Sequence, residues 1–108
     1  MTITLTITII LNLVPKAAVE RVSLFHLRFE GIHPFVDGNG RTGRLLLNMQ
    51  LMQAGYPPIN VKFADRKSYY DAFEDFAATG SPKAMTNLVA EYLMERMSSM
   101  LSLLDSVK

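Results

Sequence analysis

The sequence predicts a mainly all-α domain, a helical bundle built around one buried central helix. Apolar residues recur at intervals of three and four residues in four successive stretches between residues 16 and 104. The five prolines fall at the edges of these stretches or between them, where they do not interrupt a helix. A chain of 108 residues is near the usual size of one domain and buries about 65% of its unfolded surface. We therefore expect a single core domain over residues 15–108.

The N-terminal segment, residues 1–14, has a different pattern. Residues 2–9 alternate threonine with isoleucine or leucine, which is typical of a β-strand with one apolar face. Such an edge needs pairing or cover. One interpretation is a docking strand for an extended peptide. The alternatives, which we favour, are a strand paired within the molecule or with a crystal partner, and the scar of a truncated reading frame.

The first helix is predicted from Lys16 to Gly31, because Pro15 suits a helix start and glycine suits a helix end. His26 lies on this helix, and its role is either that of a metal ligand or that of a structural histidine. We favour a structural role, because no second ligand stands at a spacing typical of zinc sites. The apolar stripe of this helix comprises Val19, Val22, Phe25, Phe29 and Ile32.

The second helix, about Thr42 to Ala54, is apolar nearly all round and is predicted to be the buried central helix. Gly55 and the following Pro57-Pro58 end it. A short extended segment with alternating apolar residues follows at residues 59–63. The apolar positions of the helix are Leu45, Leu46, Leu47, Met49, Leu51 and Met52.

Two more helices complete the predicted bundle. Asp65 is expected to cap a third helix that reaches Ala78, with Tyr69, Phe73 and Phe76 as its core stripe. Ser81 is expected to cap a fourth helix, with Pro82 in the first turn, that reaches Leu104. The methionine-rich stripe of this last helix is a partner groove or core, and core packing is favoured. Its positions are Met85, Leu88, Val89, Tyr92, Met100 and Leu104.

The overall charge excludes several classes of partner. Eleven basic and ten acidic residues give a formal charge of +1, which argues against a broad surface for nucleic acid or an acidic membrane. No apolar run reaches the roughly 18 residues that a membrane span needs, and the N-terminus is a poor signal peptide. Cysteine is absent, which excludes disulfides and favours a reducing compartment. We expect a cytoplasmic protein that binds neither nucleic acid nor membrane.

Residues 33–44, His-Pro-Phe-Val-Asp-Gly-Asn-Gly-Arg-Thr-Gly-Arg, concentrate the chemistry of the chain. Gly38 and Gly40 flank Asn39, so the backbone can take positive φ angles and converge its N–H groups on an anion. A helix that begins at Asn39 or Gly40 directs its positive dipole end at the same place. Arg41 and Arg44 lie three residues apart and can hold further phosphate oxygens.

Two side chains before the glycines complete this group. Asp37 is a hard oxygen ligand of the kind that Mg²⁺ uses beside a polyphosphate. His33 is suited to accept a proton near neutral pH. The run therefore indicates a site for phosphate binding and proton transfer rather than only a tight connection.

This run resembles the signature of the Fic family: His-Pro-Phe, two residues ending in an acid, Gly-Asn-Gly-Arg and a second arginine three positions later. The similarity continues through residues 45–48 and 54–58, and covers roughly residues 16–77. The resemblance implies a Fic-like helical bundle and a Mg²⁺-dependent protein adenylyltransferase, which moves AMP from ATP to a Ser, Thr or Tyr hydroxyl of a target protein.

The resemblance also implies a role for each site residue. His33 is the general base, and Asp37 holds Mg²⁺. Tyr70 lines the nucleobase pocket, whereas Ala77 replaces an amide side chain that touches the base in some relatives, which puts strict adenine selection in doubt. The phosphate-binding residues are Gly38, Asn39, Gly40, Arg41 for the β-phosphate and Arg44 for the γ-phosphate.

Other outcomes stay open at the level of the sequence. A β-hairpin flap that pins the target upstream of the Fic signature has no evident counterpart, so the chain is alternatively a truncated core that only binds nucleotide. Removal of AMP is a further option, although it relies on an inhibitory glutamate whose motif fails here, since His26 stands four residues before Glu30. A further alternative is a subunit restrained by an inhibitory partner that supplies a glutamate near Arg44, and a homo-oligomer is favoured over a monomer.

Overall fold

The computed structural model describes residues 16–32 and 38–107. Within these ranges there are four α-helices, one short 3₁₀-helix and no β-strand, so the predicted all-α class is confirmed. The predicted strand at residues 1–14 lies outside the described residues. The helices are α1 (Lys16–Ile32), α2 (Asn39–Gln53), α3 (Arg66–Thr79) and α4 (Lys83–Val107), and the 3₁₀-helix is Phe63–Asp65.

The core is organised by α1 and α4. Helix α1 packs against both α2 and α4, and α4 also packs against α3. Leu51 of α2 and Leu93 of α4 have no exposed surface. The remaining buried apolar residues are Val19, Val22, Leu27, Leu47, Tyr56, Ile59, Tyr69, Ala72, Met85, Val89 and Tyr92. Apolar burial of this kind is the main favourable term in folding.

The prediction that α2 is buried all round is wrong for the described part of the chain. Leu45, Met49 and Met52 are 60%, 45% and 51% exposed, whereas Leu47 and Leu51 are buried on the opposite side. The reason is that, among the described helices, α1 makes the extensive contact with α2, and one neighbour covers one side. Phe25 and Ile32 of the predicted α1 stripe are also exposed.

Glycines end two of the helices. Gly55 has φ 93°, its N–H donates to Met52 O, and the Tyr56 N–H donates to Leu51 O at 2.9 Å. This is the hydrogen-bond pattern of a glycine C-terminal cap, so the predicted stop is confirmed. Gly80 ends α3 in the same left-handed conformation. Gly31 was predicted to end α1, but it lies inside the helix.

The connection between α2 and α3 is held by side chains. The Asn48 amide donates to Ile59 O at 2.9 Å and accepts from Ile59 N at 2.8 Å. Asp65 precedes α3 as predicted, but its side chain makes no capping bond; it accepts a hydrogen bond from the Tyr92 hydroxyl at 2.6 Å. The extended segment was predicted to reach Phe63, which instead begins the 3₁₀-helix and is exposed. These contacts tie the connection to α2 and α4.

Helix α4 is the longest of the described helices. The Lys83 N–H donates to Ser81 Oγ at 3.2 Å, the hydrogen bond expected of the predicted cap, but the helix begins at Lys83, so Pro82 precedes it and is not in its first turn. The helix ends at Val107 rather than Leu104, and its predicted stripe is buried only in the first half, since Met100 and Leu104 are 44% and 61% exposed. Within the described ranges no helix is long and apolar enough to cross a membrane.

Candidate functional site

The candidate site lies at the N-terminus of α2. Gly38 precedes the helix with φ 78° and ψ 14°, and its carbonyl accepts the Thr42 N–H at 2.9 Å. The helix begins at Asn39, the start predicted from the glycine loop, and not at Thr42, the start predicted from the apolar stretch. This terminus carries the positive end of the helix dipole and suits an anion. His33 and Asp37, the predicted base and metal ligand, lie outside the described residues.

Arg44 folds back over the start of its own helix. A Cβ on Gly40 would lie only 3.0 Å from Arg44 Nη1, so the absence of a side chain at Gly40 makes room for the guanidinium. The structure therefore places the Arg44 charge beside the helix terminus that Gly38 introduces. Arg41 is exposed in the same first turn. Together these residues form a positively charged end suited to phosphate.

A groove of about 670 Å³ lies between α1 and α3. Tyr70 and Ala77, the two positions predicted to face a nucleobase, both line it. Tyr70 is 57% exposed, so its ring is available to a ligand rather than part of the core. The volume is in the range of small-molecule sites. The other lining residues are Leu27, Arg28, Glu30, Gly31, Phe73, Glu74 and Phe76.

A buried polar network connects this groove side to α2. His26 has no exposed surface; its Nδ1 lies 3.2 Å from Gly43 O and its Nε2 lies 2.6 Å from the Tyr69 hydroxyl. The predicted structural, hydrogen-bonded histidine is thus confirmed. The described residues contain no cluster of three His, Asp or Glu side chains that would hold a metal.

The protonation states of this network follow from burial. Desolvation lowers the pKa of His26 to about 4, the Arg44 charge acts in the same direction, and the bond to Gly43 O opposes them. Desolvation raises the pKa of Tyr69 to about 12, Glu30 adds to this, and the nearby Arg44 guanidinium opposes it as a hydrogen-bond donor and as a charge. At neutral pH His26 is therefore neutral and Tyr69 is protonated.

Gly43 allows α1 and α2 to approach closely at this network. A Cβ there would overlap Glu30 Oε1 and would lie 3.2 Å from Phe29 Cδ1. The space that a side chain would need is taken by the Glu30 carboxylate. Gly43 thus has a packing role that differs from the phosphate-binding role predicted for Gly38 and Gly40.

The sequence did not predict the link between His26, Tyr69 and Arg44. The sequence predicts Tyr69 only as part of a core stripe and His26 only as a structural histidine without a named partner. The available signal was a histidine on an apolar helix face, which must find a partner when buried. The identity of that partner, 43 residues away, is not readable from spacing.

Comparison with known proteins points to one family. The Fic/DOC family model matches residues 6–51, which include the whole run 33–44. Protein adenylyltransferase Fic from Nematostella vectensis is 53% identical over 53 residues, or 49% of this chain, and the protein of that name from Drosophila virilis is 44% identical over 73 residues, or 68% of this chain. The chain belongs to the Fic/DOC family.

The fold of this Fic chain also matches a solved structure. Fic-1 (residues 134–508) from C. elegans has a TM-score of 0.73 to it and is 33% identical, over 79% of this chain. The chain spans only 12% and 15% of the Nematostella and Drosophila proteins and 25% of the Fic-1 chain. The name adenylyltransferase thus describes proteins much longer than the chain compared with them.

Proposed function

We propose that the chain is a protein adenylyltransferase that moves AMP from ATP to a Ser, Thr or Tyr hydroxyl of a target protein. The observation that carries the proposal is the position of the Arg44 guanidinium, folded over Gly40 at the positive end of α2. The similarity to proteins named protein adenylyltransferase Fic supports the same activity. The target protein is the expected partner.

The phosphates of ATP are proposed to bind at the start of α2. Gly38, Asn39 and Gly40 hold the α- and β-phosphates, because the left-handed Gly38 and the helix terminus together favour an anion. Arg41 binds the β-phosphate. Arg44 binds the γ-phosphate and orients the leaving pyrophosphate, for which a guanidinium offers paired donors.

The base of the nucleotide is proposed to enter the groove between α1 and α3. Tyr70 offers an exposed aromatic face to it. Ala77 lines the same groove but offers no side-chain donor or acceptor, so adenine recognition here depends on shape and on main-chain or other polar groups. With the base in this groove, the phosphates of the same nucleotide extend toward the N-terminus of α2.

The transfer step requires one proton acceptor. His33 takes the proton of the target hydroxyl while the hydroxyl oxygen forms a bond to the α-phosphorus, and the bond from that phosphorus to the bridging oxygen of pyrophosphate breaks. Mg²⁺, held by Asp37 and phosphate oxygens, would neutralise charge on the leaving group. One carboxylate is enough for such a site, because Mg²⁺ shared with phosphates retains several waters.

The polarity of transfer follows from the glycines. A phosphorylating branch of the Fic family lacks the Gly-Asn-Gly sequence at the positions of residues 38–40, whereas this chain has it. We therefore expect the α-phosphate, and not the γ-phosphate, to be attacked.

The experiment is to incubate the purified chain with Mg²⁺ and ATP labelled on either the α- or the γ-phosphate, in the presence of lysate proteins. We expect label from the α-position on the chain or on a lysate protein, and its loss in His33→Ala and Arg44→Ala. Arg96→Ala is the matched control, since Arg96 is an exposed arginine on α4, away from the site. Transfer from the γ-position, or retention of labelling in His33→Ala, would overturn the proposal.

A further inference from the structure

We propose that Tyr69 and His26 are positioning residues that hold the Arg44 guanidinium over the N-terminus of α2 before nucleotide binds. The inference rests on the proposed function in one respect, which is the assignment of the γ-phosphate to Arg44. Tyr69 and His26 do not touch the nucleotide in this scheme. They act through Arg44.

The direction of each hydrogen bond in the network is fixed by chemistry. Gly43 O is only an acceptor, so His26 Nδ1 must carry the hydrogen and donate across the 3.2 Å contact. The neutral ring then has its lone pair on Nε2, and the Tyr69 hydroxyl donates to it at 2.6 Å. The remaining lone pairs of the Tyr69 oxygen are available to a donor. The Arg44 guanidinium has only donors, and as a hydrogen-bond donor and as a charge it lowers the pKa of Tyr69.

The network closes on itself through the backbone. Gly43, which accepts the His26 hydrogen bond, directly precedes Arg44 in the chain. The hydrogen bonds of His26 of α1 and Tyr69 of α3 therefore hold the backbone from which the Arg44 side chain extends. Gly40 leaves open the place where the guanidinium lies. A cation held in place before binding loses less conformational freedom when an anion arrives.

A purely structural role for the two residues makes a different prediction. The Tyr69 ring packs edge-on against Phe73 with centroids 5.0 Å apart, and a phenylalanine would retain that packing. If the hydroxyl served only stability, its removal would not distinguish one nucleotide from another. If it positions Arg44, its removal affects only ligands that reach Arg44.

The first experiment compares Tyr69→Phe with Tyr92→Phe. Both remove a tyrosine hydroxyl that makes a 2.6 Å hydrogen bond, but Tyr92 bonds to Asp65, away from the site. Binding of Mg-ATP and of AMP is measured by isothermal titration calorimetry. We expect Tyr69→Phe to weaken ATP binding by about 5- to 10-fold and to leave AMP binding within about twofold, because AMP lacks the phosphate that Arg44 holds. Tyr92→Phe should change neither.

Two results would overturn the positioning role. One is an unchanged affinity of Tyr69→Phe for ATP, and the other is an equal loss for ATP and AMP, which is the mark of a structural defect. Arg44→Ala serves as the reference for selective loss. Combined with Tyr69→Phe it should give no further loss, because both changes remove the same interaction.

The second experiment needs no nucleotide. The ¹⁵N–¹H NOE of the Arg44 Nε–Hε group reports how firmly the side chain is held in the free protein. We expect a higher NOE than for exposed Arg96, a fall toward the Arg96 value in Tyr69→Phe, and no change in Tyr92→Phe. An NOE for Arg44 as low as that of Arg96 would refute positioning, whatever the nucleotide data show. An ordered Arg44 in a chain that binds no nucleotide would leave positioning intact and refute the proposed function.

Discussion

At the scale of single residues, His26 shows how burial sets chemistry. Its ring is enclosed by α1, α2 and α3, and both ring nitrogens have partners. Desolvation disfavours the imidazolium, and the charge of Arg44 disfavours it further. The neutral ring can therefore donate at Nδ1 and accept at Nε2 at the same time. A protonated ring could not accept from Tyr69.

The first prediction concerns the pH dependence of stability. The pKa of His26 is about 4 in the folded chain against 6.5 when unfolded. Above pH 6.5, His26 is neutral in both the folded and the unfolded chain. As the pH falls from 6.5 toward 4, His26 takes up a proton only in the unfolded chain, so folding becomes less favourable. The loss is on the order of 3 kcal/mol across this range at 1.36 kcal/mol per pKa unit. Urea unfolding at about pH 7 and about pH 4.5 measures it.

The control is His26→Gln, which cannot titrate but offers an amide donor and acceptor. All other titratable side chains are the same in the two proteins, so the difference between their pH dependences isolates His26. We expect the variant to lose markedly less stability than the parent over this range. Equal losses would contradict the assignment of a neutral buried ring.

At the scale of helices, two glycines provide a test of backbone conformation. A Cβ on either Gly31 or Gly55 would meet nothing within 4 Å, so space is equal at both. Gly31 lies within α1, whereas Gly55 has φ 93° after α2. Alanine should raise the free energy of unfolding by about 0.5–1 kcal/mol at Gly31 and lower it by about 1–2 kcal/mol at Gly55. Thermal unfolding of both variants measures this, and a shift of the same sign in both would refute the argument.

Asn48 provides a second test at this scale. Its amide pairs with both main-chain groups of Ile59, as a neighbouring strand would. Asn48→Asp keeps the shape but replaces the donor to Ile59 O with a second oxygen, so it should lower the free energy of unfolding by about 1–3 kcal/mol. Asn87→Asp, at an exposed position of α4, is the control and should change it by less than about 0.5 kcal/mol. Urea unfolding measures both, and an equal effect in the two variants would contradict a role for the pair.

Helix positions were predictable from sequence to within a few residues, because local signals set them. Gly55, Ser81 and the start of α2 at Asn39 follow from backbone chemistry near each residue. Burial was less predictable, because it depends on neighbours distant in the chain. Leu45 and Met49 fit the apolar pattern of a central helix, yet the described helices leave them exposed. The same limit applies to Asp65, whose carboxylate bonds to Tyr92 of α4 instead of capping α3.

At the scale of the whole molecule, the chemistry of the candidate site was more predictable than its support. The glycines and arginines of residues 38–44 are contiguous in sequence, so their chemistry is visible without a fold. Tyr70 and Ala77 required the similarity to the Fic family, and the structure places both on one groove. The network of His26 and Tyr69 required the fold itself, because it joins three helices. Assignment of His33 and Asp37 stays a prediction.

The elongated shape of the molecule leads to the last prediction. The described chain measures 48 × 27 × 26 Å, and the last turns of α4 carry exposed apolar side chains, whereas the first half of the helix contributes buried apolar side chains to the core. Leu93→Ala should cost about 2–5 kcal/mol of unfolding free energy, because Leu93 has no exposed surface. Leu104→Ala, the same change at a position 61% exposed, should cost less than about 0.5 kcal/mol. Urea unfolding compares the two variants.

Amide hydrogen exchange should likewise be slow around Leu93 and fast around Leu104, since a helix end with few tertiary contacts opens without global unfolding. Slow exchange around Leu104, together with a large loss of unfolding free energy in Leu104→Ala, would show that the end of α4 is packed in solution. The hydrophobic core would then include the last turns of α4.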